Sequence, residues 1–151
     1  MHVVTGHDQA PLHEALNGRS VHWIHNPNYQ AGISTSIRAG VRALSSELDG
    51  MVLCLGDMPW VSSQQINRLI DGFQDDAVRV ACFGKRRGHP ALFPRAWFGQ
   101  LMQLTGDDLA RCLFDNLASA VIEVPMADDA VLRDVDHKED LNLNSDLRIS
   151  A

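Results

Sequence analysis

The chain has 151 residues, of which 45% are hydrophobic and 21% charged, a balance that suits one globular domain with a substantial core. Its formal net charge of -6 argues against a general nucleic-acid binder, which needs a basic face. No apolar run is long enough to cross a bilayer, and the first residues lack the layout of a signal peptide. The three cysteines include no C-x-x-C pair, so we expect buried free thiols in a protein of the reducing cytoplasm.

Strand-like and helix-like stretches alternate along the first part of the chain. The pattern predicts, in order, a strand over 2–5, a helix capped by Asp8 and ending near Gly18, a strand over 20–25, a loop over 26–34 and a helix carrying Ile37, Val41, Leu44 and Leu48. The next apolar run, which stops at Gly56-Asp57, has the length of a buried strand, and such strands are typical of parallel sheets.

The alternation continues to the end of the chain. The second part predicts a helix after the capping-box pair Ser62 and Gln65, a strand over 78–83, a glycine-rich basic loop over 84–90, a helix opened by Pro94, a helix capped by Asp107, a strand over 120–124, a shorter strand over 131–135 and a last helix through Leu141. Alternation of this kind indicates an α/β fold with a mainly parallel sheet in a single domain over 1–151.

The clearest candidate for chemistry is Asp57, which follows its strand at the sheet edge where open α/β folds bind ligands. A divalent cation such as Mg²⁺ prefers one or two carboxylates together with waters and substrate phosphates. Asp136, just after the predicted strand over 131–135, is the candidate for a second carboxylate. Two structural interpretations stay open: Gly-Asp-x-Pro can be a simple strand-to-helix turn, and Asp136 can simply cap the last helix.

Three other segments carry candidate binding groups. Small hydroxylated residues over 26–40 precede a helix, whose first N–H groups can bind an anion or can simply be capped by Ser34 or Thr35. The segment 84–90 places three cations and His89 together, which suits a phosphate but equally a solvated hairpin tip. In 105–111, Asp107 favours a helix cap, and Arg111 can reach a ligand or pair with a neighbouring aspartate.

Together these segments resemble a known family. The order N-P-x-x-x-x-G-x-S-x-S-I-x-x-G, L-x-L-G-D-M-P, R-G-H-P-A-L-F, G-D-x-x-A-R and D-V-D-x-x-E-D-L is similar to the MobA-like nucleotidyltransferases. The branch that it resembles most is the molybdenum cofactor cytidylyltransferases, and the similarity covers residues 3–143. The resemblance implies a Rossmann-like three-layer α/β sandwich that uses Mg²⁺ to transfer CMP from CTP, or GMP from GTP, to a phosphorylated pterin-type acceptor with release of pyrophosphate.

The same resemblance implies roles for particular residues. Asp57 would be the main catalytic Mg²⁺ ligand and Asp136 the second. The residues that would line the nucleotide pocket are Asn26, Gly32, Ser34 and Ser36. Those on the acceptor side would be Gly88, His89, Pro90 and Arg111.

The chain also departs from the family pattern. The family begins with a strand and a loop of the type L-A-A-G-x-S-x-R-M-G-x-x-K that holds the triphosphate, and nothing here corresponds to it. The chain therefore reads as N-terminally truncated relative to the family, with the strand before Asp57 missing a neighbour. From this we expect a rearranged sheet, pairing with a second chain in a homodimer, or marginal stability. Leu109 also stands where the family has a glycine.

Three functional hypotheses follow. The first is a nucleotidyltransferase of the cytidylyltransferase type, whose activity depends on how the chain manages without the triphosphate loop. The second is a non-catalytic module that binds the molybdopterin or the nucleotide. The third is a truncated remnant with no independent function.

Overall fold

The structure is a computed structural model that describes residues 1–107 and 120–144. The chain divides into two compact units. The first unit comprises Met1–Asp49 and Arg95–Ala120, and the second comprises Gly50–Pro94 and Val121–Ala151. Within the described ranges, none of the helices combines the length and the hydropathy needed to span a bilayer.

The first unit is built on a two-stranded parallel sheet. Strands β1 (His2–Thr5) and β2 (His22–His25) pair in register, and a short helix α1 (Ala10–Ala15) connects them. Helix α2 (Ile33–Arg42) packs on β1 and α4 (Phe98–Leu101), and its buried apolar face is formed by Ile37 and Val41. Two single-turn 3₁₀ helices, Tyr29–Ala31 and Arg95–Trp97, precede α2 and α4.

The second unit contains a four-stranded sheet in the order β3-β5-β4-β6. Its elements are β3 (Gly50–Leu53), α3 (Ser63–Ile70), β4 (Val78–Phe83), β5 (Arg86–Pro94), β6 (Val121–Pro125) and two 3₁₀ helices, Asp129–Leu132 and Lys138–Asn144. The strand β5 runs antiparallel to both its neighbours, whereas β4 and β6 are parallel. The core beneath this sheet is formed by Leu69, Ala81, Leu92, Val124, Met126 and Val131.

The predicted α/β class is confirmed, but the pairing is mixed rather than mainly parallel. The predicted basic loop over 84–90 is wrong in its extent, because only Gly84 and Lys85 form the turn and the rest belongs to β5. Gly84 has φ +60°, and a glycine in this conformation at the first position of a two-residue turn is what a type II′ hairpin requires. The hairpin places β5 antiparallel inside the sheet.

Several boundaries also differ from the sequence predictions. Asp8 does not cap α1, which begins at Ala10 after Gln9 and without a side-chain cap. The helix predicted to reach Leu48 ends at Arg42. The strand predicted over 131–135 is wrong, since Asp129–Leu132 forms a 3₁₀ turn instead. In contrast, the strands over 2–5 and 78–83 and the Ser62–Gln65 capping box are confirmed.

The strand β3 lies at one end of its sheet. Among the described residues it pairs only with β5, in antiparallel register, and all four of its residues are half-buried. The buried strand in a parallel sheet that the sequence predicts here is therefore an edge strand with antiparallel pairing. Its second edge leaves backbone donors and acceptors without a strand partner within the described part of the chain.

Candidate functional site

Asp57 lies in the exposed turn that follows β3. The Val135 N–H donates to the Asp57 carbonyl oxygen at 2.9 Å, so a second chain segment fixes the backbone of this turn. The Asp57 carboxylate is exposed and makes no hydrogen bond or ion pair with the described residues. The turn is therefore held through its backbone, while its carboxylate stays uncommitted.

Asp136 directly follows the residue that bonds to Asp57. The N–H groups of Asp136 and His137 donate to Asp140 Oδ2 at 3.0 Å and 2.8 Å. Asp140 thus accepts from the first N–H groups of this last turn. The sequence left open that Asp136 would provide this helix cap. The Asp136 carboxylate is exposed and has no hydrogen-bond partner among the described residues.

The donor set fits a hard divalent cation. Within residues 1–107 and 120–144, no group of three or more His, Cys, Asp or Glu residues could enclose a metal ion. Mg²⁺ does not need such a group, because it is held by one or two carboxylates and keeps waters and substrate phosphates as its other ligands. Asp57 and Asp136 supply two exposed carboxylates, and the hydrogen bond from the Val135 N–H to the Asp57 carbonyl oxygen joins the segments that carry them.

His89 lies in a bulge of β5. Val80 pairs with Ala91 and Cys82 with Arg87, so the three residues Gly88–Pro90 oppose Ala81 alone. A bulge of this kind redirects side chains, and it tolerates a proline because no ladder donor is required there. The apparent loop signal R-G-H-P is thus a strand irregularity that turns His89 out of the regular pleat.

Two small cavities meet at His89. The first, of about 110 Å³, is lined by Cys54, Leu55, Met58, Val61, Ile66, His89 and Pro90. The second, of about 180 Å³, is lined by Leu55, Met58, Arg86, Arg87, Gly88, His89, Val131, Leu132 and Asp134. The second cavity combines apolar side chains with the cationic Arg86 and Arg87 and the acidic Asp134.

Burial controls the charge of His89. Desolvation lowers the pKa of the His89 imidazole, and the negative charge of Asp57 opposes this with a smaller raising effect. The Nδ1 atom is buried and has no hydrogen-bond partner among the described residues. His89 is therefore a neutral imidazole near pH 7, with hydrogen-bonding capacity still available.

Gly88 has a structural requirement of its own. A Cβ at this position would overlap the carbonyl oxygen of Val131 and contact the Leu132 side chain. The glycine therefore allows β5 to pack closely against the 3₁₀ turn Asp129–Leu132. This contact brings that turn up to the second cavity.

In the first unit, Asn26 ties the loop before α2 to the helix itself. Its Nδ2 donates to Thr35 Oγ1 at 2.8 Å and to Ser36 Oγ at 2.9 Å, and its Oδ1 accepts from the Asn28 N–H at 3.0 Å. Asn26 is only 3% exposed. The amide therefore has its hydrogen-bonding groups occupied within the chain, while the half-buried Ser36 hydroxyl, which accepts from Asn26, keeps its own proton to donate.

The first N–H groups of α2 are also occupied. Ile33 N–H donates to Asp107 Oδ1 at 3.0 Å, and Ser34 N–H donates to the Gly106 carbonyl oxygen at 3.2 Å. Gly32, with φ +101°, lies so close to both that a Cβ would meet Asp107 Oδ1 and Gly106 at 2.7 Å. Asp107 therefore caps the start of α2. The segment after Asp107, which the sequence predicted that it would cap, lies outside the described residues, and so does Arg111. Ser34 Oγ is buried, with no hydrogen-bond partner in the described part of the chain.

Sequence reasoning missed the contact between Arg133 and Trp60. The Arg133 guanidinium lies 4.3 Å from the centre of the Trp60 ring and 3.5 Å from Asp129. The sequence contains no functional signal at Trp60, and Arg133 lies inside the strand predicted over 131–135. No spacing signal connects two residues so far apart in sequence, so only the folded chain reveals the pair.

Comparisons with known proteins agree on one family. A family model described as the MobA-like NTP transferase domain matches residues 1–121. The molybdenum cofactor cytidylyltransferase of Escherichia coli strain K12 is 33% identical over 102 residues, which is 67% of this chain and 52% of that protein. The chain thus spans about half the length of this curated relative.

Solved structures show the same fold. The manganese complex of Rv0371c from Mycobacterium tuberculosis H37Rv is 28% identical with a TM-score of 0.74, and the match covers 94% of this chain and 75% of that one. A nucleotidyl transferase from Methanothermobacter thermautotroptrophicus superposes with a TM-score of 0.83 at 22% identity, covering 96% and 71%. The second match carries the fold alone.

Proposed function

Because the chain belongs to the MobA-like NTP transferase family, we propose that it is a Mg²⁺-dependent transferase of CMP from CTP to a molybdopterin-type acceptor, with release of pyrophosphate. The cytidylyltransferase among its relatives supports this choice of nucleotide and acceptor. The structural observation that carries the proposal is at Asp57. Its exposed carboxylate has no hydrogen-bond or ion-pair partner among the described residues, and its backbone carbonyl oxygen accepts from Val135, the residue before Asp136.

In this proposal Asp57 and Asp136 hold the cation. Both carboxylates are exposed and unpaired among the described residues, so binding requires no ion pair to be broken. When bound, Mg²⁺ would offset negative charge on the α-phosphate and on the leaving pyrophosphate. The manganese complex of Rv0371c supports a divalent ion in a protein of this fold.

The acceptor would lie against β5 in the larger cavity. There, Gly88 gives close packing and the neutral His89 offers a hydrogen bond without adding charge, while Pro90 lines the smaller cavity next to His89. Arg86 and Arg87 line the same cavity; because Arg87 is already paired with Glu123 at 2.8 Å, Arg86 would be the first to attract a phosphate group on the acceptor. Arg111 remains assigned to the acceptor by resemblance alone.

The nucleotide would contact the segment from Asn26 to Ser36. Ser36 can donate its hydroxyl proton, and Ser34 has a buried hydroxyl with no partner among the described residues. Asn26 and Gly32 would act by shaping this segment, since the asparagine amide is already bonded and the glycine allows a positive φ. Their roles toward the nucleotide are therefore indirect.

A second candidate is a non-catalytic module that binds the pterin-type acceptor. It is favoured by the capping of α2, because Asp107 and Gly106 already take the N–H groups of Ile33 and Ser34. A phosphate could use those donors only by displacing the Asp107 carboxylate and the Gly106 carbonyl oxygen. The cavity at His89 needs no such displacement, so an acceptor site could persist without turnover.

The decisive experiment measures pyrophosphate release from CTP, and separately from GTP, with Mg²⁺ and a molybdopterin acceptor. We expect CTP-dependent release that falls at least about 100-fold in Asp57→Asn, because a cation ligand is removed. Asp75→Asn, which changes another exposed aspartate, is the matched control and should retain the parent rate. Absence of release together with stabilisation by a pterin would instead support the binding module.

Assembly and location belong to the same proposal. The open edge of β3 supports a homodimer formed by edge-to-edge pairing, and light scattering coupled to gel filtration would test it. A Lys substitution at Met51, on that edge, should then yield a monomer.

We propose a cytoplasmic location for the protein, which cell fractionation would test.

A further inference from the structure

We infer that Arg133 is a positioning residue that sets the place of Asp57 through the Asp128–Val135 segment, an inference that rests on the proposed function of Asp57. The segment contacts the Asp57–Gln65 region at three points. Asp128 Oδ1 accepts from Gln65 Nε2 at 2.9 Å, the Arg133 guanidinium covers the Trp60 ring, and Val135 N–H donates to the Asp57 carbonyl oxygen.

Asp128 is anchored by two hydrogen bonds. Gln65 is 7% exposed, and its Oε1 accepts from the Ser62 N–H at 2.8 Å as part of the α3 capping box. Asp128 Oδ1 also accepts from the Ala130 N–H at 3.0 Å, which starts the 3₁₀ turn. The beginning of the segment is therefore hydrogen-bonded to the first turn of α3 through the buried Gln65 side chain.

Of the two side-chain contacts, the stack of Arg133 on Trp60 is the one nearer to Asp57 in sequence. Trp60 follows Asp57 by three residues, and Val135 follows Arg133 by two, so the stack and the backbone hydrogen bond lie side by side. A planar guanidinium suits such stacking better than the ammonium of lysine. Fixing both partners together holds the Asp57 turn at a set distance from Asp136.

Packing on Trp60 alone does not require an arginine at this position. Its Nη2 is buried with no hydrogen-bond partner among the described residues, and its ion pair with Asp129, at 3.5 Å, joins a half-exposed carboxylate. An apolar side chain would cover Trp60 without leaving a buried N–H unsatisfied. Stacking of the Arg133 guanidinium on Trp60, which would fix the Asp57 turn, explains why this position has an arginine.

The first readout is amide hydrogen exchange at Val135 in the full chain, compared between Arg133→Met and Arg95→Met. Arg95 is the matched control, since its guanidinium lies 5.7 Å from the centre of the Phe98 ring in the first unit. We expect exchange at Val135 to be about tenfold faster in Arg133→Met and unchanged in Arg95→Met. The Met126 amide, bonded to the Cys82 carbonyl oxygen at 2.8 Å, is the internal reference and should keep its rate.

The second readout is Mn²⁺ affinity, which a merely structural role would leave unchanged. We expect it to fall about tenfold in Arg133→Met, the lower end of what outer partners contribute to metal sites, and to stay constant in Arg95→Met. Parent-like exchange at Val135, or faster exchange with full Mn²⁺ affinity, would overturn the positioning role. If Arg133→Met does not fold, Trp60→Leu removes the same stack and is judged by the same criteria.

The two proposals can fail separately. A parent protein that neither binds Mn²⁺ nor releases pyrophosphate contradicts the proposed function, and the exchange at Val135 then decides alone whether Arg133 fixes the turn. A parent that is active, with an Arg133→Met variant of equal activity and Mn²⁺ affinity, contradicts only the positioning role.

Discussion

The start of α2 in the first unit and the Asp57 turn in the second unit both match family motifs, yet their polar groups are used differently. At α2, the Asn26 amide and the N–H groups of Ile33 and Ser34 are bonded within the chain. At the Asp57 turn the backbone is bonded but the carboxylate is not. Some motif residues therefore stabilise their loop through internal hydrogen bonds, and others leave their side chains available to a ligand. Only the contacts in the folded chain distinguish the two cases.

The difference has an energetic counterpart. A residue whose polar groups are bonded inside the chain contributes to stability, and its replacement is felt in unfolding experiments. An exposed carboxylate without a partner contributes little to stability, and its replacement changes binding instead. Substitutions in the two regions should therefore separate stability from function.

The largest expected effect is that of Gly88→Ala, because the new methyl group overlaps the backbone oxygen of Val131, which cannot move aside like a side chain end. We expect about 3 kcal/mol of destabilisation, as for overpacking against a rigid neighbour, measured by urea unfolding. Gly99→Ala, where a Cβ meets nothing within 4 Å, is the control. Equal stability of the two variants would show that Gly88 is free for a ligand role alone.

Asn26→Ala should have the next largest effect. It removes a buried amide and leaves the Thr35 and Ser36 hydroxyls and the Asn28 N–H without this partner, so we expect about 2 kcal/mol of destabilisation. Gln30→Ala, at an exposed position of the same loop, serves as the reference in the same urea titration. A stable Asn26→Ala variant that loses only nucleotide binding would reverse the contrast drawn between the two regions.

Asp107→Ala tests the cap of α2 and should have a smaller effect. Losing the bond from the Ile33 N–H is expected to lower the free energy of unfolding by about 1 kcal/mol, as for other helix caps. The variant also frees a donor at the helix start, so we expect inorganic phosphate to stabilise it more than the parent chain. Thermal unfolding with and without phosphate measures both effects, and an unchanged melting temperature would show that this cap contributes nothing.

The sequence predicted local features better than long-range ones. The Ser62–Gln65 capping box and the strand over 78–83 depend on neighbouring residues, and both are confirmed. The turn at Gly84 was harder, because Gly88 and Pro90 made the whole segment resemble a loop. Their tolerance in β5 depends on a bulge opposite Ala81 and on packing against Val131, and both are properties of the assembled sheet.

The candidate site shows the same limit. The position of Asp57 just after a strand could be predicted from an apolar run and a turn, and its proximity to Val135 could not, since the strand predicted over 131–135 does not form. Asp107 was expected to cap the segment after it, which lies outside the described residues, and its bond to the first turn of a helix more than 70 residues earlier was not foreseen. Local sequence patterns cannot predict a helix cap that comes from a residue so distant in the chain.

The smallest expected effect is a pH dependence of stability that originates at His89. Its pKa is lowered in the folded chain relative to the unfolded value of 6.5, mainly by burial. The unfolded chain then binds more protons, so this contribution to stability is complete above pH 6.5 and is lost as the pH falls below it toward the folded pKa. His89→Gln should therefore flatten the change in urea midpoint between about pH 7.5 and about pH 5, whereas His25→Gln, at an exposed position of β2, should leave the profile unchanged.

Asp57→Asn removes the charge that raises the pKa of His89, so the pH profile of this variant should be steeper than that of the parent. A profile identical to the parent's would mean that the Asp57 carboxylate does not act on His89.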